Sequence, residues 1–82
     1  ELNQERRKDL VKQVRKDAEH HRVSARNYRR DANELLKEAE NDKAITQDEH
    51  RAASERVQKL TDETIAQIDE IVKGKEQEIL SV

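Results

Sequence analysis

The sequence contains no cysteine, proline, methionine, tryptophan or phenylalanine, and it has one tyrosine and one glycine. Without cysteine there is no disulfide, no thiolate metal ligand and no cysteine nucleophile. No apolar run approaches the roughly 20 residues that a membrane-spanning helix needs, so we expect no membrane segment. No signal peptide is recognisable, and because the chain does not begin with methionine we expect it to be a fragment of a longer protein.

Charged residues make up 44% of the chain and hydrophobic residues 32%. A chain rich in Ala, Glu, Lys, Leu and Arg, without proline, is more typical of long helices than of disorder. The net charge of −2 alone argues against binding to nucleic acid, but it conceals an asymmetry. Residues 6–30 hold ten basic and three acidic residues, a net charge of +7, whereas residues 41–82 hold six and ten, a net charge of −4. Such asymmetry often marks an interaction surface.

Apolar spacing predicts a first helix from about residue 4 to about residue 40, with Asn3 as its N-cap. The apolar positions alternate between spacings of three and four, which is a heptad pattern. The side chains of one row are small and those of the other row are bulkier. We expect His21 and Tyr28 of the bulkier row to pack in the core. The small row is Val11, Ala18, Ala25, Ala32 and Ala39, and the bulkier row is Val14, His21, Tyr28 and Leu35.

A second helix is predicted from about residue 47 to about residue 80, after a turn at about 41–46. Thr46 and Glu49 match a capping box at its start, and Gly74 is expected to weaken its last turns. The apolar positions span roughly 120° of the first helix and roughly 140° of the second, more than a two-helix contact needs. We therefore predict an all-α fold, a long antiparallel helical hairpin that forms two helices of a three-helix bundle.

The charges of the first helix separate by sign. On a helical wheel eight basic residues fall within about 100°, and this set is called the basic face below. The acidic residues of the helix, including Glu19, are expected in a separate sector. The basic face spans on the order of 40 Å, and guanidinium groups match pairs of phosphate oxygens. The pattern therefore favours binding to RNA or another polyanion. The basic face consists of Lys8, Lys12, Arg15, Arg22, Arg26, Arg29, Arg30 and Lys37.

Two alternatives accompany this interpretation. A charged helix face often serves only solvation, although such a surface would typically mix Glu and Lys four residues apart. The chain is alternatively a coiled-coil interaction module that binds a partner helix through its open apolar side. No enzyme is expected, since there is no H-E-x-x-H motif, phosphate-binding loop or catalytic triad. His20 and His21 diverge on a helix and His50 is isolated, so we predict no catalytic residue, metal site or cofactor.

Several segments resemble ribosome recycling factors, and the resemblance covers essentially the whole chain. Its most specific stretch is residues 22–32, RVSARNYRRDA, which is similar to the family's R-V-x-x-R-N-x-R-R-D-A segment. Four further segments resemble the family at residues 5–10 (ERRKDL), 45–49 (ITQDE), 57–62 (VQKLTD) and 75–80 (KEQEIL).

The resemblance implies an L-shaped protein in which domain I is a three-helix bundle and domain II a small α/β domain inserted after its first helix. Residues 1–82 would be a part of domain I that lacks the first helix and domain II. The family acts in the cytoplasm after translation termination. It binds the large ribosomal subunit and, with elongation factor G, splits the ribosome for recycling, without being an enzyme itself.

The resemblance also implies which residues contact ribosomal RNA. The family's ribosome-contacting arginines fall at Arg26, Arg29 and Arg30, in the centre of the basic face. We expect Arg22, Arg15 and Lys12 to extend this contact. The implied partners are ribosomal RNA of the large subunit, elongation factor G, and the missing first helix and domain II. The chain on its own is also a candidate for self-association through its open apolar side.

Overall fold

A computed structural model describes residues 3–81 as two long helices. α1 spans Gln4–Asn41 and α2 spans Gln47–Ser81, and they pack side by side in an antiparallel hairpin measuring 61 × 15 × 10 Å. The predicted all-α hairpin is confirmed, and no strand occurs within the described range. Neither α1 nor α2 has an apolar stretch long enough to cross a membrane.

Both predicted helix starts are confirmed by their caps. The Asn3 Oδ1 atom accepts a hydrogen bond of 2.7 Å from the backbone N–H of Arg6. At the start of α2, the Thr46 N–H donates to Glu49 Oε1 at 2.9 Å, and the Glu49 N–H donates to Thr46 Oγ1 at 3.1 Å. This reciprocal pair satisfies two backbone donors that have no partner inside the helix.

A tight turn reverses the chain between the helices. The Ala44 N–H donates to the Ala39 carbonyl at 2.9 Å, and the Asp42 N–H donates to the Glu38 carbonyl, also at 2.9 Å. Lys43 has a φ of 61°, in the left-handed region that commonly ends helices. Gly74, in contrast, does not interrupt α2, which continues to Ser81.

The helices meet along one narrow row of small side chains. Val11 and Ala18 of α1 are buried, and Ala25 and Ala32 farther along the same row are half-buried. Thr61 is the buried residue that α2 contributes, and its hydroxyl donates to the Val57 carbonyl at 2.8 Å. A buried polar group is therefore satisfied within its own helix, and small side chains let the two backbones approach closely.

The bulkier row of α1 is not buried, so the expectation that His21 and Tyr28 pack in the core is wrong for this hairpin. Tyr28 is 76% exposed and Leu35 67% exposed, and His21 is exposed as well. The reason is geometric. With a single neighbouring helix, α1 buries only the row that faces α2, and the adjacent row turns sideways into solvent.

An open apolar surface results on one side of the hairpin. Two shallow grooves lie along it, one between Val14 and Ile71 and the other between Tyr28 and Leu60. Leu60 and Ile71 are each 63% exposed. An exposed apolar patch of this kind indicates an interaction site. This surface, called the apolar face below, consists of Val14, His21, Tyr28, Leu35, Leu60 and Ile71.

The exposure pattern predicts opposite costs for two substitutions. Tyr28→Ala should change the free energy of unfolding of the hairpin by less than about 0.5 kcal/mol, as expected at a surface position. Ala18→Leu should destabilise it by about 1–3 kcal/mol, because Ala18 is buried against α2 and a larger side chain would overpack this position. Urea unfolding followed by circular dichroism measures both. A larger loss for Tyr28→Ala than for Ala18→Leu would contradict the packing described.

Candidate nucleic-acid interface

The basic face lies on the side of the hairpin opposite the apolar face. Arg26 and Tyr28 are two residues apart, which places them roughly 160° apart around the helix axis. The Arg26 side chain is 47% exposed and the Arg30 side chain 66% exposed. Lys12 is also exposed on this side. The hairpin therefore presents a cationic surface and an apolar surface on different sides, and they meet at Arg29, which lines the groove between Tyr28 and Leu60.

Arg22 crosses from α1 to an acidic residue of α2. Its Nε donates to Asp69 Oδ1 at 2.9 Å, and its Nη2 forms an ion-pair contact of 2.8 Å with the same oxygen. Its Nη1 atom lies 3.6 Å from Glu19 Oε1 on its own helix. Hydrogen bonding to Asp69 raises the pKa of the Arg22 guanidinium above the ordinary arginine value. Arg22 thus has carboxylate partners on both helices.

Arg15 makes an equivalent contact two helical turns earlier. Its Nε donates to Glu76 Oε1 at 2.5 Å. The hydrogen bond from Arg15 lowers the pKa of Glu76 below the usual glutamate value, and partial desolvation opposes this shift without cancelling it. Together the Arg15–Glu76 and Arg22–Asp69 pairs connect α1 to α2 along the edge of the basic face.

Arg29 is the next residue in this series and differs from the other two. It follows Arg22 by seven residues, as Asp62 precedes Asp69 by seven, so the antiparallel register places Arg29 opposite Asp62. Nevertheless, no carboxylate within residues 3–81 lies within 4.0 Å of the Arg29 guanidinium. Asp62 instead accepts a 2.9 Å hydrogen bond from Gln58 Nε2. Half-buried beside Tyr28, Arg29 has a guanidinium without a neutralising partner in this part of the chain.

Glu19 lies among the arginines, so the expectation that it occupies a separate acidic sector is wrong. Its Oε1 atom is 3.6 Å from Arg22 Nη1 and 3.9 Å from Arg26 Nη1. Three- and seven-residue separations place side chains on the same side of a helix, which explains both contacts. At these distances, and with its side chain 56% exposed, Glu19 neutralises its neighbours only weakly.

A further polar contact joins the helices next to the turn. His50 Nδ1 lies 2.6 Å from Glu40 Oε1, and Ser54 donates to Asn33 Oδ1 at 3.2 Å. His50 was predicted to be isolated because its partner, Glu40, lies on the other side of the turn. The described residues contain no group of three or more side chains suited to holding a metal ion.

Comparison with known proteins shows which family the chain belongs to. The sequence profile described as "Ribosome recycling factor" matches residues 1–80. The chain belongs to the ribosome recycling factor family.

Individual relatives in this family are similar along the whole chain. The ribosome-recycling factor of Chelativorans sp. (strain BNC1) is 61% identical over 82 residues, which is 100% of this chain and 44% of that protein. The Listeria welshimeri factor is 56% identical over 82 residues. The Carboxydothermus hydrogenoformans factor is 54% identical over 81 residues, 99% of this chain. The chain spans 44% of the length of each of these recycling factors.

The six arginine and lysine residues that were predicted to contact ribosomal RNA in this recycling-factor chain differ in their surroundings. Arg15 and Arg22 are held by carboxylates of α2. Lys12, Arg26 and Arg30 lie exposed, and Arg29 is half-buried. Sequence reasoning did not find Asp69 and Glu76. Their signal is the antiparallel arrangement, since Glu76 and Asp69 lie about one helical turn beyond the positions that a turn at 41–46 places opposite residues 15 and 22, within reach of long arginine side chains.

The Arg15–Glu76 contact predicts a pH-dependent stability difference. Because the pKa of Glu76 is lowered in the folded state, its stabilising contribution is present above the ordinary glutamate pKa. That contribution disappears as pH falls through the lowered value. Glu76→Gln should therefore be less stable than the wild type at about pH 7, and this difference should shrink as the pH is lowered toward about 2. Urea unfolding at both pH values measures this.

The control is Glu63→Gln, which changes an exposed glutamate outside the interhelical pairs. It should leave the stability at about pH 7 close to that of the wild type. A stability deficit of Glu76→Gln that persists unchanged at the lower pH would show that the carboxylate charge is not its cause.

Proposed function

We propose that the chain is the ribosome-docking part of a translation factor that acts after termination. In this proposal the whole factor binds the large ribosomal subunit in the cytoplasm and, together with elongation factor G, splits the ribosome for recycling. Membership of the ribosome recycling factor family supports this proposal. The chain contributes binding and the GTPase contributes the hydrolysis, so we assign no catalytic residue and no cofactor to the chain.

The proposed contact with ribosomal RNA uses the basic face. The observation that carries it is that Arg26 and Arg30 extend into solvent outside the interhelical ion pairs. Arg29 adds a guanidinium without a carboxylate partner within residues 3–81, and Lys12 lies on the same side. Guanidinium groups bind phosphate oxygens in pairs, and affinity for RNA rises as such contacts release counterions. Arg15 and Arg22 would extend this contact.

The apolar face is proposed to be covered by the first helix of the same factor. Tyr28, Leu35, Leu60 and Ile71 are each more than half exposed, which is unusual for large apolar residues arranged in two parallel rows. Family relatives are more than twice as long as this chain, which leaves room for segments that would form that helix and domain II. The chain alone would instead self-associate through this face.

The alternative of an independent coiled-coil interaction module is not favoured by family membership. Such a module would use the apolar face as its main binding surface, and its complexes would tolerate added salt. Contacts with phosphate weaken steeply as salt increases. The salt dependence of ribosome binding therefore separates the two functions.

A chimera provides the functional test. This chain would replace the corresponding segment of the Chelativorans recycling factor, to which it is 61% identical. With elongation factor G and GTP, the chimera should split ribosomes into subunits, as followed by light scattering. Arg26→Ala/Arg30→Ala in the chimera should weaken binding to large subunits about tenfold or more and lower the salt slope by about two.

The matched control is Arg6→Ala/Arg56→Ala, which also removes two exposed arginines, but away from the basic face. It should leave the affinity and salt slope of subunit binding unchanged. Equal losses in the two double variants would mean that net charge, and not the basic face, governs binding. A chimera that is folded but inactive in splitting would contradict the proposed function.

A further inference from the structure

Two arginines of the basic face are already occupied by carboxylates, and these two carboxylates differ from the other acidic residues nearby. Asp69 accepts a hydrogen bond from Arg22 Nε and lies in ion-pair contact with Arg22 Nη2, and Glu76 accepts a hydrogen bond from Arg15 Nε. We propose that Asp69 and Glu76 are specificity-determining residues that withhold these arginines from flexible, non-cognate RNA. The inference rests on the function proposed above and deepens it.

The geometry of the Arg22–Asp69 pair explains how it would withhold a cation. The Arg22 side chain is only 23% exposed, whereas that of Asp69 is 57% exposed. In this pair the carboxylate is the more exposed partner, so an incoming phosphate meets its negative charge first. In the Arg15–Glu76 pair the exposures are reversed, 66% for Arg15 and 22% for Glu76, so there the carboxylate withholds the guanidinium only through its short hydrogen bond. To reach the Arg22 guanidinium, the phosphate must displace a carboxylate held by a charge-assisted hydrogen bond and a second ionic contact. Like-charge repulsion of this kind rejects anions that cannot supply better-placed contacts.

Rigid and flexible RNA differ in their ability to make this exchange. A folded ribosomal RNA surface presents phosphates at fixed positions, so each exchange costs little additional ordering. A flexible single strand must lose conformational entropy for each phosphate that it places. When a phosphate replaces the carboxylate at Arg15 or Arg22, one ionic contact forms and another is lost. A flexible strand therefore gains little binding free energy from this exchange. The arginines outside these pairs remain available to either kind of RNA.

The acidic row on α2 contains its own matched control. Glu55, Asp62, Asp69 and Glu76 follow one another at intervals of seven residues, so they lie along one side of the helix. Asp69 and Glu76 pair with arginines of α1. Within residues 3–81, Glu55 and Asp62 have no ion-pair partner within 4.0 Å. Neutralising Asp69 and Glu76 removes as much negative charge as neutralising Glu55 and Asp62. Only the first pair of substitutions, however, releases arginines from their carboxylate partners.

The test compares Asp69→Asn/Glu76→Gln with Glu55→Gln/Asp62→Asn in the 82-residue chain, with helicity checked by circular dichroism. Binding to poly(U) is measured over a series of salt concentrations. The first variant should bind at least about threefold more tightly than the wild type, and its salt slope should steepen by about 1.4, as two additional cations engage a single strand. The control variant should keep the wild-type slope.

A third variant, Arg15→Glu/Glu76→Arg, exchanges the two partners and so keeps an ion pair between positions 15 and 76. Its slope on poly(U) should equal that of the wild type. A shallower slope would show that Arg15 already binds flexible RNA, and this would overturn the proposal. So would equal slopes for the two neutralised variants. Binding of the wild type to large ribosomal subunits is measured in parallel. Absence of this binding would contradict the proposed function. The salt slopes on poly(U) would still decide the role of Asp69 and Glu76.

Discussion

The row of small side chains on α1 brings the two helix backbones together and thereby determines which residues face outward. Val11 and Ala18 are buried against α2, and the alanines that follow them are half-buried. A larger side chain in this row would separate the helices and change the register of the residues beside it. Because the contact is only one row wide, the bulky apolar residues fall on one side of it and the arginines on the other.

Arginine has two roles in this hairpin, and its neighbours on α2 decide which. Arg15 and Arg22 face Glu76 and Asp69 and bridge the helices. Exposed ion pairs contribute little to stability, so these contacts matter more for which cations remain available than for folding. Arg29 follows at the same spacing, but Gln58 hydrogen-bonds its facing carboxylate, Asp62. Among the described residues Arg29 therefore has no carboxylate partner, although it continues the series of Arg15 and Arg22.

Much of the fold was predictable because its signals are local. The cap at Asn3 and the capping box at Thr46 depend on residues three positions apart, and both form as expected. Family membership was predictable from the segment RVSARNYRRDA, which lies in α1.

Errors arose where the outcome depends on the neighbouring helix. Tyr28 fits a heptad pattern, yet it is exposed because the chain supplies only one partner helix. Glu19 was assigned to the wrong sector although its spacing from Arg22 places it on the basic face. The contacts of Asp69, Glu76 and His50 require the register between α1 and α2, which emerges only once the turn is placed.

We propose that the arginine side of the hairpin contacts ribosomal RNA and that its apolar side contacts protein. A photocrosslinking amino acid at position 37, on the basic face, or at position 35, on the apolar face, tests it in the chimera bound to large subunits. We expect crosslinks to ribosomal RNA from position 37 and crosslinks within the factor from position 35. Crosslinks to ribosomal RNA from position 35 and none from position 37 would contradict the claim.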